Sequence, residues 1–436
     1  MSLDLAGTQF STWGYGDSVP GPLMRATAGD AFRLTLDNRL AADTTIHWHG
    51  IRLRNAADGV PGMTQDPVRP GTNFVYEFTA PDPGTYFFHP HAGVQLDRGL
   101  YAPMVIDDPS EPGRYDHEWI VVLDDWIDGT GTTPDDVLKK LIADGGDATG
   151  GGMGMGCMDH GGHDSMGGMG PMPWANAGDV AHPYFLINGR PPTDPEVMTA
   201  RPGQQVRLRI INAASDTIFT VALGGHRLTI TETDGHAVQP AQVDALYMGM
   251  GERYDAVVTL DDGVFPLVAR PWGKTSGGQA MALLRTGSGA APSAAVTPPE
   301  LNGQVLIGSQ LQPAESAKLP ARTPDVRADL VLQGSMRPYR WGINGGPYGE
   351  NKPLGVKSGQ RLRINATNMT MMTHPLHLYG HTFALPSGLR KDTVLMAPMQ
   401  SLAIDLEADN AGEWMIHCHN IYHAEAGMMI ALQYRT

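Results

Sequence analysis

The two ends of this chain are diverged copies of one unit. Residues 29–50 align with residues 359–380 without a gap, and a second block aligns residues 84–100 with residues 412–428. Pairs that are identical in both copies include Asn38–Asn368, His47–His377, Gly50–Gly380, Gly84–Gly412, His89–His417, His91–His419 and Gly99–Gly427. Such self-similarity indicates a duplicated domain. The fold must therefore hold two equivalent domains whose sequences lie more than 300 residues apart.

A third copy lies between the other two. Residues 201–212 repeat their strand pattern, and residues 263–270 stand where the others carry a strand with two histidines, here replaced by Val268 and Arg270. Short alternating strands separated by Pro-Gly turns are typical of β-sandwiches. We therefore expect an all-β chain of three Greek-key β-sandwich domains, at residues 1–112, 113–290 and 291–436.

Two further elements are predicted within this arrangement. One helix is expected at residues 134–144, because Thr133 can cap it and Pro134 suits its first turn. Gly145-Gly146 would end it. Residues 287–299, which are rich in Ser, Ala and Pro, are interpreted as the second linker between domains.

Composition excludes several classes of function. The 436 residues include 54 Gly and 34 Pro, and the net charge of −15 argues against nucleic acid as a partner. No run approaches the roughly 20 apolar residues that span a bilayer, so no membrane span is expected. With two cysteines in all, of which Cys418 stands in a ligand motif, Cys157 has no expected disulfide partner.

The end of the chain carries a set of soft metal ligands. His417-Cys418-His419 is followed by His423 and Met428. One thiolate, two imidazoles and a weak axial thioether make the ligand field of an electron-transfer copper, and His374 can supply the second imidazole. On a strand, the two neighbours of Cys418 point to the opposite face, so they can reach a second metal site behind it.

Three more groups of histidines support a multi-metal site. They are His47-Trp48-His49, His89-Pro90-His91 and the cluster formed by His374, His377 and His381. A lone histidine is most often a satisfied polar residue, but repeated His-x-His pairs in a chain with 16 histidines favour metal binding. With these motifs the chain resembles the three-domain multicopper oxidases, that is, laccases and bacterial cuprous oxidases, over nearly its whole length.

The resemblance implies three cupredoxin-like domains and four coppers as cofactors. A type 1 copper would accept single electrons from Cu(I), phenols or aromatic amines, and a trinuclear cluster between the terminal domains would reduce dioxygen to water. The ligands implied for the type 1 copper are His374, Cys418, His423 and Met428. The ligands implied for the cluster are His47 and His377 at type 2, His49, His89 and His419 at one type 3 copper, and His91 and His417 at the other.

The resemblance also implies acidic residues that deliver protons. Asp58 stands where the family carries such an acid, and Glu425 is a second candidate. Many bacterial relatives place the acid directly after the type 1 histidine, where this chain has Ala424. Either carboxylate could instead be a surface or turn residue.

One cluster position departs from the family pattern. Tyr379 falls opposite His49 in the repeat, where the family motif has a type 3 histidine. A phenolate could bind Cu(II) there, because a nearby cation lowers the pKa of a tyrosine. Alternatively, that copper has only two protein ligands, or His381 reaches into the site from about 6.6 Å further along the strand.

Residues 150–173 form a Gly-rich insert in the second domain that contains six methionines, Cys157 and two histidines. Soft sulfur ligands select Cu(I), so we weigh Cu(I) capture against a plain flexible linker. Similar inserts accompany copper-tolerance oxidases of the family, which favours a role in copper homeostasis.

Other functions remain as alternatives. A copper-sequestering or scaffold protein could use the same fold with a cluster impaired at Tyr379, and copper nitrite reductase shares the domain type but normally has two domains. The residues Met1-Ser2-Leu3-Asp4 lack a basic or apolar leader. The chain is then either cytoplasmic or a mature form, and because the resemblance implies export we expect a periplasmic or secreted protein.

Overall fold

The computed structural model describes residues 1–111, 113–144 and 178–435 of the chain. The strands fall into three sets by position in the chain, and each set forms sheets of its own. This confirms the all-β prediction and its three cupredoxin-like sandwiches. The insert at residues 150–173, and the two glycines expected to end the helix, lie outside the described residues.

The first domain contains a four-stranded sheet in the order β3-β8-β7-β5, the pair β4-β6 and the hairpin β1-β2. Its strands are β1 (Ser2–Leu5), β2 (Thr8–Ser11), β3 (Met24–Thr27), β4 (Ala31–Asp37), β5 (His47–His49), β6 (Asn73–Thr79), β7 (Gly84–His89) and β8 (Ala102–Asp107).

The middle domain packs two six-stranded sheets, β10-β9-β12-β17-β14-β15 and β11-β19-β18-β13-β16-β20. Its strands are β9 (His117–Trp126), β10 (Tyr184–Ile187), β11 (Val197–Thr199), β12 (Gln205–Asn212), β13 (Phe219–Leu223), β14 (Leu228–Thr233), β15 (His236–Val243), β16 (Ala245–Met248), β17 (Arg253–Thr259), β18 (Val264–Pro271), β19 (Ala280–Arg285) and β20 (Val305–Ile307). Because β20 pairs with β16, this sheet extends beyond the expected boundary at residue 290.

The last domain has a six-stranded sheet, β22-β21-β24-β29-β26-β27, and a five-stranded sheet, β23-β31-β30-β25-β28. Its strands are β21 (Val326–Met336), β22 (Tyr339–Ile343), β23 (Leu354–Val356), β24 (Arg361–Asn368), β25 (His374–Leu378), β26 (Phe383–Ala384), β27 (Arg390–Lys391), β28 (Thr393–Met396), β29 (Ser401–Glu407), β30 (Glu413–Cys418) and β31 (Met429–Tyr434).

The two α-helices of the described chain are short. Helix α1 (Pro134–Asp144) has the predicted bounds, and the Thr133 hydroxyl accepts a hydrogen bond from the Asp136 backbone N–H at 3.2 Å. Helix α2 (Ile421–Glu425) follows β30 directly. Neither helix has the length or the apolar sequence needed to cross a membrane.

The terminal domains keep the same strand pairing. In the first domain β5 pairs with β7 so that His47 lies opposite His89, and in the last β25 pairs with β30 so that His377 lies opposite His417. These partners are the residues that the sequence alignment equates. One continuous set of buried apolar side chains runs through all three domains, from Trp48 in the first to Trp414 in the last. The duplicated strands are therefore held on a shared core.

A glycine follows each repeated histidine strand because the chain turns there in a left-handed conformation. Gly380 has a φ of +64°, and a Cβ on it would overlap the indole of Trp414. Gly359 also has a positive φ, +80°, but has no heavy atom within 4 Å of the position of a Cβ. The two glycines thus share the backbone requirement and differ in packing.

Alanine at these two positions should separate backbone strain from overpacking. Both Gly359→Ala and Gly380→Ala place a side chain at positive φ, which costs about 1–2 kcal/mol. Gly380→Ala should cost about 1–3 kcal/mol more, because its methyl group must displace Trp414. Thermal unfolding of both variants checks this, and equal melting temperatures would contradict the packing explanation.

Candidate metal centre

Three side chains from separate elements converge within the last domain. The Sγ of Cys418 lies 3.4 Å from His374 Nδ1 and 3.6 Å from His423 Nδ1, and the two nitrogens are 3.1 Å apart. All three residues are fully buried. Met428 is fully buried as well, and its backbone is bonded to both Cys418 and His423. The predicted type 1 residues are therefore brought together.

Local hydrogen bonds set the position of His423. The side chain of Asn420 accepts from the backbone N–H groups of Tyr422 and His423, which caps α2 at its first turn. The turn from β30 into α2 therefore starts two residues after Cys418. This short connection returns His423 to the thiol at the end of the strand.

The outer nitrogens of both imidazoles are occupied, which leaves the inner ones for a ligand. His423 Nε2 donates to Asp179 Oδ2 at 2.9 Å. His374 Nε2 lies 2.7 Å from the Thr370 hydroxyl, which itself donates to Asn368 Oδ1 and so accepts from the imidazole. Such partners fix the tautomer and orientation of metal-binding histidines.

The charge preferences of the two imidazoles differ. Burial lowers the pKa of His374 well below its usual value, and the neighbouring His423 lowers it further. Burial also acts to lower the pKa of His423, but the carboxylate of Asp179, together with Cys418, outweighs it and raises the pKa to about 10. Asp179 is thus the strongest electrostatic influence on this group.

The remaining histidines form a second cluster behind Cys418. His49 of the first domain stacks on His377 of the last with ring centroids 3.8 Å apart, and His49 Nδ1 lies 3.1 Å from His419 Nε2. Other ring pairs within the cluster are 5.2–6.2 Å apart, namely His47–His49, His47–His89, His47–His377, His89–His419, His91–His417 and His417–His419. The strands of both terminal domains therefore contribute to one site.

In most of these rings one nitrogen is hydrogen-bonded, and the other has no hydrogen-bond partner among the described residues. The Nδ1 atoms of His47, His89 and His377 donate to backbone carbonyls at 2.9–3.1 Å. The Nε2 atoms of the same three rings, and of His91, are buried with no hydrogen-bond partner among the described residues. Buried polar atoms are rarely left unpaired. A group of inward-facing lone pairs on rings of fixed tautomer fits metal ions, so these residues fit copper.

Burial also keeps these rings neutral. It lowers the pKa of His91 to about 4, and it lowers the pKa values of His47, His49, His89, His417 and His419 well below 6.5. Charge repulsion between neighbouring imidazoles adds to the effect in each case. Neutral imidazole is the form that binds metals.

Tyr379 occupies the cluster position that departs from the repeat. Its ring stacks on His47 at 3.7 Å between centroids, and its hydroxyl lies 2.9 Å from His417 Nε2. Burial raises the pKa of Tyr379 well above 10, and the carboxylates of Asp58 and Glu425 raise it further. The phenol therefore lies among the imidazoles as a neutral group.

The structure excludes His381 as a substitute ligand in this geometry. Its Nδ1 donates to the backbone carbonyl of Tyr379 at 3.0 Å, and its Nε2 lies 2.7 Å from the Tyr434 hydroxyl. Its ring stacks on Tyr434 rather than on a cluster histidine. Both of its nitrogens are therefore engaged by groups outside the histidine cluster.

The two candidate carboxylates lie near the cluster. Asp58 is fully buried, its Oδ1 is 3.2 Å from His47 Nδ1, and burial raises its pKa to about 7. Glu425 lines a cavity of about 530 Å³ together with His91, and burial raises its pKa to about 7. The same cavity is lined by Tyr348, which is 42% exposed, so it links the cluster to the surface.

Sequence reasoning missed the residues that support the histidines. They are Thr370 and Asp179 beside the converging Cys–His set, and Asp392 and Thr393 beside the cluster. Asp179 belongs to the middle domain and Asp392 to a strand connection with no repeat signal. Only the tertiary structure brings them to the rings.

Comparisons with known proteins agree with this geometry. Three family descriptions, each named multicopper oxidase, match residues 2–111, 165–289 and 321–436. The multicopper oxidase MmcO of Mycobacterium tuberculosis is 47% identical, covering 99% of this chain and 85% of that protein. Copper resistance protein A of Escherichia coli is 27% identical and covers 98% and 90%.

Solved structures show the same fold. The multi-copper oxidase from Pseudomonas thermotolerans aligns with a TM-score of 0.73 at 27% identity, over 100% of this chain and 97% of that one. The laccase from Botrytis aclada aligns with a TM-score of 0.80 at 24% identity, over 99% and 86%. The second similarity bears on the fold alone.

Replacement of the Cys418 thiol should distinguish the Cys418 site from the histidine cluster behind it. We expect Cys418→Ser to bind one copper fewer per chain and to lose the blue colour, because a hydroxyl does not supply the soft thiolate donor. Copper analysis and visible absorption measure this. Cys157→Ser is the matched control and should stay blue. A blue Cys418→Ser protein would disprove the assignment of this sulfur.

Proposed function

The chain belongs to the multicopper oxidase family, and on that premise we propose which residues hold each copper. His374, Cys418 and His423, with Met428 as a weak axial ligand, would hold the type 1 copper. Their convergence within 3.6 Å supports this set. Copper, when bound, supplies one-electron oxidation of the substrate and four-electron reduction of dioxygen to water.

The trinuclear site would use the histidines of both terminal domains. His47 and His377 would hold type 2 copper. The type 3 ligands would be His49, His89 and His419 for one ion, and His91 and His417 for the other. The unpartnered Nε2 atoms of four of these rings support the set. Cys418 is covalently linked through the main chain to its neighbours His417 and His419. The end of this strand therefore connects the proposed type 1 site with the proposed trinuclear site.

Asp58 and Glu425 would supply protons to the cluster. Asp58 contacts His47 directly, and Glu425 shares a cavity with His91. Glu425 stands one position beyond the site that bacterial relatives use, so helix α2 would present the acid from its last residue. Glu425 lines the cavity that reaches the surface, whereas Asp58 is fully buried beside His47.

Amide variants test the proton role. Asp58→Asn and Glu425→Gln should slow oxygen turnover by about 100-fold, the low end for a lost proton donor. Anaerobic reduction of the type 1 copper should stay unchanged, because it needs no proton from these groups. Asp43→Asn, an exposed carboxylate that lines the same cavity, is the control. Normal turnover in both test variants would contradict the role.

Dioxygen is the oxidant of this enzyme, and we propose Cu(I) and small aromatic compounds as its reductants. Relatives named copper resistance protein A and laccase support the two substrate classes. The methionine content of residues 150–173, which lie outside the described part of the chain, favours Cu(I). Export to the periplasm or the exterior is proposed on the family resemblance.

Tyr379 leaves two possibilities for the second type 3 copper. The phenol oxygen lies 2.9 Å from His417 Nε2, close enough for both atoms to share one metal ion. If it binds as phenolate, the cluster is complete with an altered ligand. If it stays protonated, that copper has only two protein ligands. The alternative function of copper sequestration is then favoured over oxygen reduction.

Copper content and oxygen uptake decide between these possibilities. The fully metallated protein should bind about four coppers and consume oxygen with Cu(I) and with a phenolic dye. We expect Tyr379→His to raise oxygen turnover, because a neutral imidazole binds without losing a proton. Tyr379→Phe, which removes only the oxygen, should lose cluster copper if the phenolate is a ligand. Unchanged turnover and copper content in both variants would refute a role for Tyr379.

A further inference from the structure

Arg253 of the middle domain lies where all three domains meet. Its guanidinium is fully buried and forms a two-pronged pair with Asp392 of the last domain, at 2.7 and 2.6 Å. Its Nε donates to the backbone carbonyl of Thr85 on β7 of the first domain at 3.1 Å. Within its own domain it contacts the Gly251 carbonyl and the carboxylate of Asp234, which lies 3.5 Å from Nη1. One side chain thus bonds to each domain.

Asp392 continues from this pair to the cluster. Its Oδ1 is 3.4 Å from His49 Nε2 and 3.5 Å from His377 Nδ1, and its backbone carbonyl accepts from the same His377 nitrogen at 2.9 Å. The adjacent Thr393 hydroxyl donates to the same oxygen at 2.8 Å and lies 3.2 Å from His49 and 3.0 Å from His377. The imidazoles of His49 and His377, which belong to different domains, therefore both contact the side chains of Asp392 and Thr393.

There is no spare room around these groups. A Cβ at Gly50 would meet the guanidinium of Arg253 and the carboxylate of Asp392, and a Cβ at Gly251 would meet His49 at 2.8 Å and His419 at 3.0 Å. Gly50 and Gly251 have φ values of +84° and +86°. Backbone from the first and middle domains thus approaches as closely as glycine allows.

We propose that Arg253 and Asp392 form a positioning pair that sets the separation of His49 and His377. The pair acts through Asp392, which orients the two rings, while Arg253 fixes the carboxylate against the other domains. The middle domain, whose own repeat carries Val268 and Arg270 in place of the histidines, thereby aligns the cluster that the terminal domains share. The inference rests on the proposed ligand roles of these two histidines.

The chemistry of the pair suits this task. A planar guanidinium bonded to a carboxylate at both prongs allows one relative orientation, whereas a lysine ammonium allows many. A carboxylate that accepts from the distal nitrogen of a metal-binding imidazole fixes its tautomer and strengthens it as a donor. Loss of such an outer partner typically costs about 10–100-fold in metal affinity.

Asp392→Asn is the direct test because an amide keeps the shape of the carboxylate. We expect apparent copper affinity at the cluster to fall at least 10-fold, with loss of the type 2 resonance in electron paramagnetic spectra. The type 1 copper and its blue absorption should remain. Arg253→Lys keeps the positive charge but loses the planar group that bonds to both carboxylate oxygens. It should therefore cause a smaller fall in copper affinity at the cluster.

A matched pair elsewhere separates positioning from stability. Asp255 is also buried, pairs with Arg209 at 2.8 Å and accepts from the Thr85 hydroxyl, and no histidine of the described residues contacts its side chain. Asp255→Asn should lower the melting temperature while keeping the full copper complement. Asp392→Asn should differ from it in copper content rather than in melting temperature alone.

Several outcomes would overturn the proposal. Full cluster copper and an unchanged type 2 resonance in Asp392→Asn would reduce the pair to a structural role, as would equal copper loss in Asp255→Asn. Failure of both Asp392→Asn and Arg253→Lys to fold would do the same. If the unmodified protein itself binds only the type 1 copper, the proposed function fails and not the positioning pair.

Discussion

Contact between the histidine strands of the two terminal domains is the constraint on which the molecule depends. His49 stacks on His377 across that contact, and both strands end in the left-handed glycine turns that let them approach. Docking buries imidazole nitrogens that have no hydrogen-bond partner in the described part of the chain, which is costly unless another group binds them. A metal that binds only the docked arrangement stabilises it by mass action. Assembly of the cluster and docking of the domains are therefore one process.

The middle domain contributes charged groups to this arrangement. Arg253 reaches Asp392 from one side, and Lys391 forms buried pairs with Asp234 and Glu252 at 3.1 Å. Desolvating such pairs offsets much of their attraction, so they add little net stability. Their directional bonds instead favour one relative placement of the domains. The shared apolar core supplies the stability, and the ionic contacts fix the relative placement of the domains.

A second buried network joins the domains near the Cys418 site. His182 of the middle domain lies 3.5 Å from both Asp97 and Asp125, and Tyr422 of the last domain donates to Asp97 at 2.5 Å. Burial acts to lower the pKa of His182, but Asp125 and Asp97 outweigh it and raise the pKa. Although three of these side chains have metal-binding donors, the ammonium of Lys274 lies 3.3 Å from His182 and already provides a cation.

What the sequence could predict depended on short-range patterns. The repeat aligned β5 with β25 and β7 with β30 in the register found, and ligand spacing around Cys418 identified the converging residues because one strand and one turn set their geometry. Asp179, Arg253 and Asp392 had no such signal, since their partners come from other domains. The pairing of Val305–Ile307 with the middle sheet had no such signal either, because it is long-range.

Tyr379 is the position in the histidine cluster at which the duplicated strands of the two terminal domains carry different metal-binding groups. The imidazole that the repeat equates with it, that of His49, offers a lone pair without losing a proton, whereas a phenol must ionise before it binds a cation strongly. Burial opposes that ionisation, and Asp58 and Glu425 oppose it further. At the Cys418 set no imidazole is replaced by a phenol, and both rings face the thiol with their inner nitrogens. Electron acceptance is therefore supported by an unaltered ligand set, and oxygen reduction depends on the one proposed cluster position at which the last copy lacks the repeated histidine.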